Sequence, residues 1–349
     1  MSSPWSDTRI LIVGGAGFVG SNLTVELLKE GVKKVVIVDN FLSSEPENIP
    51  QSSRVLLWEG SIADDKVLDN LEDEYDYVFH LATYHGNQSS IHDPLADHEN
   101  NLLTTLKLFT RLRESKRIRK VVYSGAGCAV ARKTFDDAEA TSEDAPVSLD
   151  MDSPYSISKI VGEFYAVYFH RQHGLPTVRA RFQNVYGPRE VLGAGKWRGT
   201  PATVWRNVTP TFIFKALRGK PLPLENGGIA TRDFIYVEDI VRGLMLCALE
   251  GATGDVYNLA SGVGTRINDL AAMINRLTGN VIPAQEMPGR DWDRSGNRFG
   301  STAKAKEKLG FEAQTKLEDG IRKTIEWTKS HLDIIEKSIG KHERFLSAL

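Results

Sequence analysis

Ile10-Leu11-Ile12-Val13-Gly14-Gly15-Ala16-Gly17-Phe18-Val19-Gly20 is the stretch on which the fold turns. Residues 10–13 read as a short buried strand. The glycines after them make a tight turn, and residues 21–30 have helical periodicity through Leu23, Leu27 and Leu28. A strand, a glycine turn and a helix in this order let the backbone approach a pyrophosphate and set the helix N-terminus against its charge. A glycine turn by itself is weak evidence, because any tight strand–helix junction can use one. Here a second β-branched run, residues 35–38, leads into Asp39, nineteen residues after Gly20. A carboxylate at that spacing suits the two hydroxyls of an adenosine ribose. It also repels the 2′-phosphate of NADP, and Asn40-Phe41-Leu42 brings no arginine to offset it. NAD is therefore the expected cofactor. The competing reading of Asp39 is an ordinary turn aspartate.

Outward from this core, residues 55–58, 77–80 and 120–124 look like further strands. Between the last two, Leu102, Leu103, Leu106, Phe109 and Leu112 fall on one helical face. Strands alternating with helices imply an α/β fold, a doubly wound parallel sheet of Rossmann type covered on both faces. After residue 185 the pattern loosens: Pro188, Gly193, Gly195, Gly199, Pro201 and Pro210 mark a long irregular segment. A helix–strand pattern follows, then a helical stretch from about residue 317. Residues 1–185, joined again by roughly 230–258, are expected to form the NAD-binding domain. Residues 186–229 and 259–349 would form a smaller α/β domain for substrate.

Composition narrows the function classes. With 349 residues, 41% of them apolar, the chain can bury a large core. A formal net charge of −2 provides no basic field for nucleic acid. Two cysteines, Cys128 and Cys247, argue against a disulfide framework. No apolar run reaches the roughly 18 residues of a membrane span, so a soluble cytoplasmic protein is expected. The scattered histidines and acids lack metal-ligand spacing.

Pro154-Tyr155-Ser156-Ile157-Ser158-Lys159 opens another helical stretch, and positions 155 and 159 share one face. A tyrosine is a poor base near neutral pH, with a free pKa of about 10. A neighbouring ammonium and a positive nicotinamide ring favour the phenolate and make it usable. Alone, such a pair is common on helix surfaces; its meaning comes from the dinucleotide turn upstream.

Taken together, the chain resembles the extended short-chain dehydrogenase/reductases, and within them the NAD-dependent nucleotide-sugar epimerases and dehydratases. The resemblance runs through the glycine turn, His80-Leu81-Ala82, Tyr155 to Lys159, Arg181-Phe182-Gln183-Asn184-Val185-Tyr186-Gly187-Pro188, Thr231-Arg232-Asp233-Phe234-Ile235-Tyr236-Val237-Glu238-Asp239 and Tyr257-Asn258-Leu259-Ala260. It implies a cofactor set of Gly14, Gly17, Phe18, Val19, Gly20, Asp39, Asn40, Phe41, Ser61, Ile62 and Val185, with Leu81, Ala82 and Thr83 on the nicotinamide side. Asn101 would tie its helix to the catalytic region. Asn184, Arg232 and Arg290 would hold the nucleotide diphosphate, with Thr209, Phe212 and His85 also facing substrate. A bidentate guanidinium suits phosphate oxygens; the competing reading of Arg232 and Arg290 is an exposed salt bridge. His80 is expected to be structural. A homodimer is implied, its interface built from Leu103, Leu106, Val161, Phe164 and Tyr168.

The resemblance has gaps. Ser61 stands where the family often has an aspartate near adenine. In Ser124-Gly125-Ala126-Gly127-Cys128, the position of the catalytic hydroxyl is Ala126, so Ser124 or a water substitutes, or Tyr155 acts alone. The 4,6-dehydratases carry an acid pair where this chain has Gly127 and Cys128. Cys128 instead matches a cysteine that GDP-fucose synthase and GDP-mannose 3,5-epimerase use for proton transfer beside a sugar ketone. The alternative is a buried small hydrophobe. The implied activity is epimerisation of a nucleotide sugar through a keto sugar, inverted at C4 or at a neighbouring carbon. A dehydratase or other oxidoreductase of the family, and a catalytically weak NAD-binding regulator, are the alternatives.

Overall fold

The computed structural model describes residues 3–72, 74–84, 86–132, 134–191, 207–291, 293 and 296–340. Strands β1 (Arg9–Val13), β2 (Lys34–Asp39), β3 (Val55–Glu59), β4 (Tyr77–His80), β5 (Lys120–Ala126) and β6 (Thr177–Phe182) alternate with helices. Next come β7 (Asn184–Tyr186), β8 (Pro223–Glu225), β9 (Thr231–Tyr236), β10 (Val256–Leu259), β11 (Gly264–Arg266) and β12 (Gln285–Met287). The main sheet has seven strands in the order β10-β6-β5-β4-β1-β2-β3, and every pair is parallel. Its apolar runs explain why: β1, β2 and β4 are buried almost throughout, as strands covered on both faces must be.

One face packs on a cluster including Ile10, Leu23, Phe79, Leu244 and Tyr257; the other packs on Leu11, Val78, Phe109, Val121 and Phe169. The order reverses beside β1, where β2 lies on one side and β4 on the other. Such a switch point leaves a crevice at the carboxyl ends of the strands.

Beyond β6 the chain builds smaller units. A three-stranded sheet, β11-β9-β7, and the pair β12-β8 pack with three helices, Val208–Leu217, Ile267–Thr278 and Leu317–Ser330. Their shared core includes Tyr186, Phe212, Phe234, Leu270 and Ile325. The chain returns to the main sheet with the helix Val237–Leu249 and β10, whereas β9 stays in the three-stranded sheet.

Two local expectations need amending. Pro210 was read as marking irregular chain, yet it sits inside the helix Val208–Leu217. A first-turn residue has no intrahelical acceptor for its N–H, so proline costs little there. The leucine-rich face before β5 is not one regular helix: a π-helical turn, His98–Leu103, runs into the helix Thr104–Leu112. Most of the irregular segment read between residues 188 and 210, with Gly193, Gly195, Gly199 and Pro201, lies outside the described residues. Among the described residues, no helix is long and apolar enough to cross a membrane.

Candidate active site

Each glycine of the opening turn has a different task. Gly14 has φ +88°, and a Cβ there would lie 2.5 Å from the Ala82 backbone nitrogen. A Cβ on Gly20 would lie 2.3 Å from the Gly14 carbonyl oxygen. Gly17 is different: its nearest obstacle is the Gly14 oxygen at 3.3 Å. It stands at the N-terminus of the helix Phe18–Lys29, which has no side-chain cap and no acidic residue in its first turn. The first N–H groups therefore face the crevice without a protein anion, a cradle matched to a pyrophosphate.

Asp39 closes β2 beside this cradle. Its carboxylate accepts from the Ala16 N–H at 2.9 Å, the Phe41 N–H at 3.0 Å and the Ser44 hydroxyl at 2.8 Å. Burial pushes its pKa up, and these bonds oppose that. The Gly17 N–H lies within reach of the carboxylate as well, so a ribose hydroxyl would share it with these donors. Phe41 pays for the turn with a left-handed backbone, φ 52°. Its side chain is buried and does not line the crevice, whereas Asn40, Ser61 and Ile62 do.

The candidate catalytic pair lies where β4, β5 and the helix Pro154–His173 meet. Ser153 caps that helix, accepting from the Ser156 N–H at 3.3 Å. Arg181 of β6 fixes it laterally, with Nε and Nη2 each 2.9 Å from the two carboxylate oxygens of buried Glu163. Tyr155 and Lys159 thereby share one buried face, the ammonium 5.8 Å from the phenol ring centre. Lys159 Nζ donates to the Ser124 carbonyl at 3.0 Å and reaches Ser124 Oγ at 3.5 Å. Ser124 Oγ donates to the His80 carbonyl at 3.0 Å. Burial pushes Lys159 down to about 8. Tyr155 is pushed well above its usual value by burial first, then by nearby Cys128, against a hydrogen bond with Thr83.

His80 is enclosed, with Nε2 2.9 Å from Thr105 Oγ1, and burial lowers it to about 3; it is a neutral structural group, as expected. Asn101 lies behind the wall rather than on it. Its carboxamide accepts from Thr83 Oγ1 at 3.0 Å and the Tyr84 N–H at 2.8 Å, and donates to Asp97 at 2.7 Å. Asp97 also accepts from Ser158, so Asn101 ties the loop after β4 to the helix Pro154–His173. Cys128 is half-buried against Tyr155, Ala126 and Ile160, at the crevice wall. Cys247 is fully buried in the main core.

The crevice, of about 1080 Å³, continues past Tyr155 to the smaller units. Asn184, Val185, Thr209 and Phe212 line this end with Arg232 and Arg290. Arg232 donates to the Thr231 and Gly296 carbonyls at 2.8 and 2.6 Å. Burial, with Arg298 nearby, lowers it to about 9. Arg290 meets Glu225 at 2.5 Å. Arg298 and Gln183 also line the crevice, and neither was picked out from sequence. Arg298 sits in irregular chain, and only the fold brings it beside Arg232. His85 lies outside the described residues. Among the described residues there is no cluster of His, Cys, Asp or Glu able to hold a metal ion.

A dinucleotide cradle that opens onto a tyrosine–lysine pair defines a Rossmann-type oxidoreductase site. The comparisons with known proteins agree. Residues 10–260 match the model of the NAD dependent epimerase/dehydratase family, and the chain belongs to that family. NAD is its cofactor. A crystal structure of the Bordetella bronchiseptica enzyme WbmF in complex with NAD+ and UDP shares 61% identity over 99% of this chain and 100% of that one, with a TM-score of 0.89. The UDP-glucose 4-epimerase of Mycolicibacterium smegmatis is 30% identical over 92% of this chain and 99% of its own. That of Thermotoga maritima, solved with UDP-glucose, shares 31% identity over 93% and 99% of the two chains, with a TM-score of 0.83.

Proposed function

We propose that the protein epimerises a nucleotide-diphosphate sugar by transient oxidation at C4. One observation carries this reading: the glycine cradle, the Tyr155 phenol and the guanidiniums of Arg232, Arg290 and Arg298 all wall a single crevice. The main sheet is the cofactor-binding part, and the smaller units around Phe212 and Arg232 hold the nucleotide sugar. WbmF, solved with NAD+ and UDP, and two relatives named UDP-glucose 4-epimerase support the substrate class.

When bound, NAD supplies a hydride acceptor and a positive ring beside the phenol. Burial keeps Tyr155 protonated in the protein alone, so added positive charge is what turns it into a base. Lys159 contributes to that charge and is itself oriented by Ser124. Ser124 is committed to His80 and Lys159, so its part is to position the lysine. Tyr155 then takes the C4 hydroxyl proton and returns it after the keto sugar has turned. Arg232 and Arg290 hold the diphosphate while it turns. Positions 127 and 128 carry no carboxyl group, which removes the acid that water elimination requires. Cys128 is placed to move a proton on a carbon beside the ketone.

The helix Pro154–His173 exposes Phe164 and Tyr168, 57% and 51% accessible, with half-buried Val161, Leu103 and Leu106. Covering these by a second copy gives the homodimer that we propose. We assign the enzyme to the cytoplasm and to supply of sugars for polysaccharide synthesis.

Turnover on UDP-, GDP- and dTDP-sugars tests the reading. The expected result is interconversion of epimers with no net consumption of NAD. Tyr155→Phe should lower turnover by about 10²–10⁴-fold while NAD stays bound. No turnover on any of these sugars, or full activity in Tyr155→Phe, would overturn it.

A further inference from the structure

The side chain of Gln183 occupies an unusual space. It follows β6 directly, next to Phe182, which is in register with Ala126 at the end of β5. A Cβ on Gly127 would lie 2.1 Å from Gln183 Nε2, 2.7 Å from its Cδ and 2.8 Å from its Oε1. A Cβ on Gly300 would lie 2.8 Å from the same Nε2. Two glycines from distant parts of the chain thus clear room for one carboxamide. Any side chain at 127 would displace it.

That carboxamide is polar, only partly exposed and at the crevice wall with Cys128 and Ala126. A carboxamide offers two N–H donors and an oxygen with two lone pairs. On the same wall Ser124 is already committed within the protein, to His80 and Lys159. Gln183 makes no hydrogen bond to any described residue. A group with unused donors and acceptors at a substrate wall is a recognition group, because leaving it unpaired against a bound substrate is costly.

We propose that Gln183 is a specificity residue for the sugar: its carboxamide, seated in the space that Gly127 and Gly300 leave for it, hydrogen-bonds a hydroxyl or acetamido substituent beside the reacting carbon. This rests on the nucleotide-sugar reading above. Gln183 is neutral and has no titratable proton near neutral pH, so it holds the keto sugar without protonating a leaving group.

The test compares the NAD-loaded enzyme with Gln183→Ala and Gln183→Met, the second keeping length and volume without hydrogen bonds. Calorimetry measures UDP, UDP-glucose and UDP-N-acetylglucosamine, with GDP- and dTDP-sugar pairs used if wild type prefers those bases. Wild type should bind a nucleotide sugar more tightly than its bare nucleotide. Both variants should lose about 3–10-fold for the sugar, the worth of one or two neutral hydrogen bonds, with nucleotide binding within twofold. Retention of the wild-type sugar preference in Gln183→Met would show a space-filling role and overturn the proposal. Equal losses for sugar and bare nucleotide would overturn it as well. If wild type binds none of the pairs, the nucleotide-sugar reading itself fails, and this inference falls with it.

Discussion

The turn glycines separate folding from cofactor binding, and alanine at Gly14 and at Gly17 should show it. Gly14→Ala meets two costs. A left-handed backbone charges a residue with a Cβ roughly 1–2 kcal/mol. The new Cβ also falls 2.5 Å from Ala82 N and 2.7 Å from Ala82 Cα, backbone atoms that cannot swing aside as a side-chain end can. Moving the turn after β1 away from the loop that follows β4 adds a strain typical of overpacking, about 1–3 kcal/mol. A total near 3 kcal/mol, at about 1.4 °C per kcal/mol for a chain this long, lowers the melting temperature by about 4 °C. Gly17→Ala has φ −69° and one contact at 3.3 Å, so its stability should stay within about 0.5 kcal/mol of wild type. Its methyl group instead stands in the phosphate cradle, where about 2 kcal/mol, or ~30-fold in affinity, is expected. Thermal melts with and without NAD separate the two. At NAD near 100 times the wild-type Kd, wild type gains about 2.7 kcal/mol, and Gly17→Ala only about 0.9. A Gly17→Ala protein stabilised by NAD as strongly as wild type would refute the assignment of tasks. So would a Gly14→Ala protein that melts with wild type.

Lys159 should give kcat/KM an alkaline limb near pH 8. Its ammonium is present below that value and lost above it, and Lys159→Arg should move the limb upward; a profile flat to pH 9.5 would remove lysine from the mechanism. By the same sign, the unfolded chain binds more protons between about 8 and the free lysine value of about 10.4, so this group's contribution to stability rises with pH across that window. Turnover in deuterated water should place deuterium at C3 or C5 if Cys128 moves protons. Cys128→Ala should then stop the exchange at a stability cost of about 1 kcal/mol; turnover without carbon-bound deuterium would leave direct C4 inversion and Cys128 as packing. Phe164→Glu with Tyr168→Glu should convert a dimer into a monomer by light scattering, and an unchanged mass would move the interface elsewhere.

The parts legible in sequence are those whose chemistry depends on spacing along one chain segment. Gly14, Gly17 and Gly20 with Asp39 specify a turn, and Tyr155 with Lys159 share a face because helices repeat every 3.6 residues. The β5 region also announced its missing hydroxyl at Ala126. What escaped depends on contacts between distant segments. Gln183 is visible only once Gly127 and Gly300 are seen on either side of it. Asn101 was read as tying its helix to the catalytic region, but the partners through which it does so, Tyr84 and Asp97, are contacts that periodicity does not report. Pro210 misled because a proline in a first helical turn looks, in sequence, like one in a loop.

The sheet order has a consequence for synthesis on the ribosome. β6 pairs with β5 on one side and with β10 on the other, yet β10 begins only at Val256. At ~5–20 residues per second, the roughly seventy residues between them take several seconds to make. Through that interval the outer edge of β6 carries unpaired N–H and C=O groups, the template on which strands of other nascent chains add. Chaperone demand and loss to aggregation during expression should therefore concentrate on truncations that end between β6 and β10.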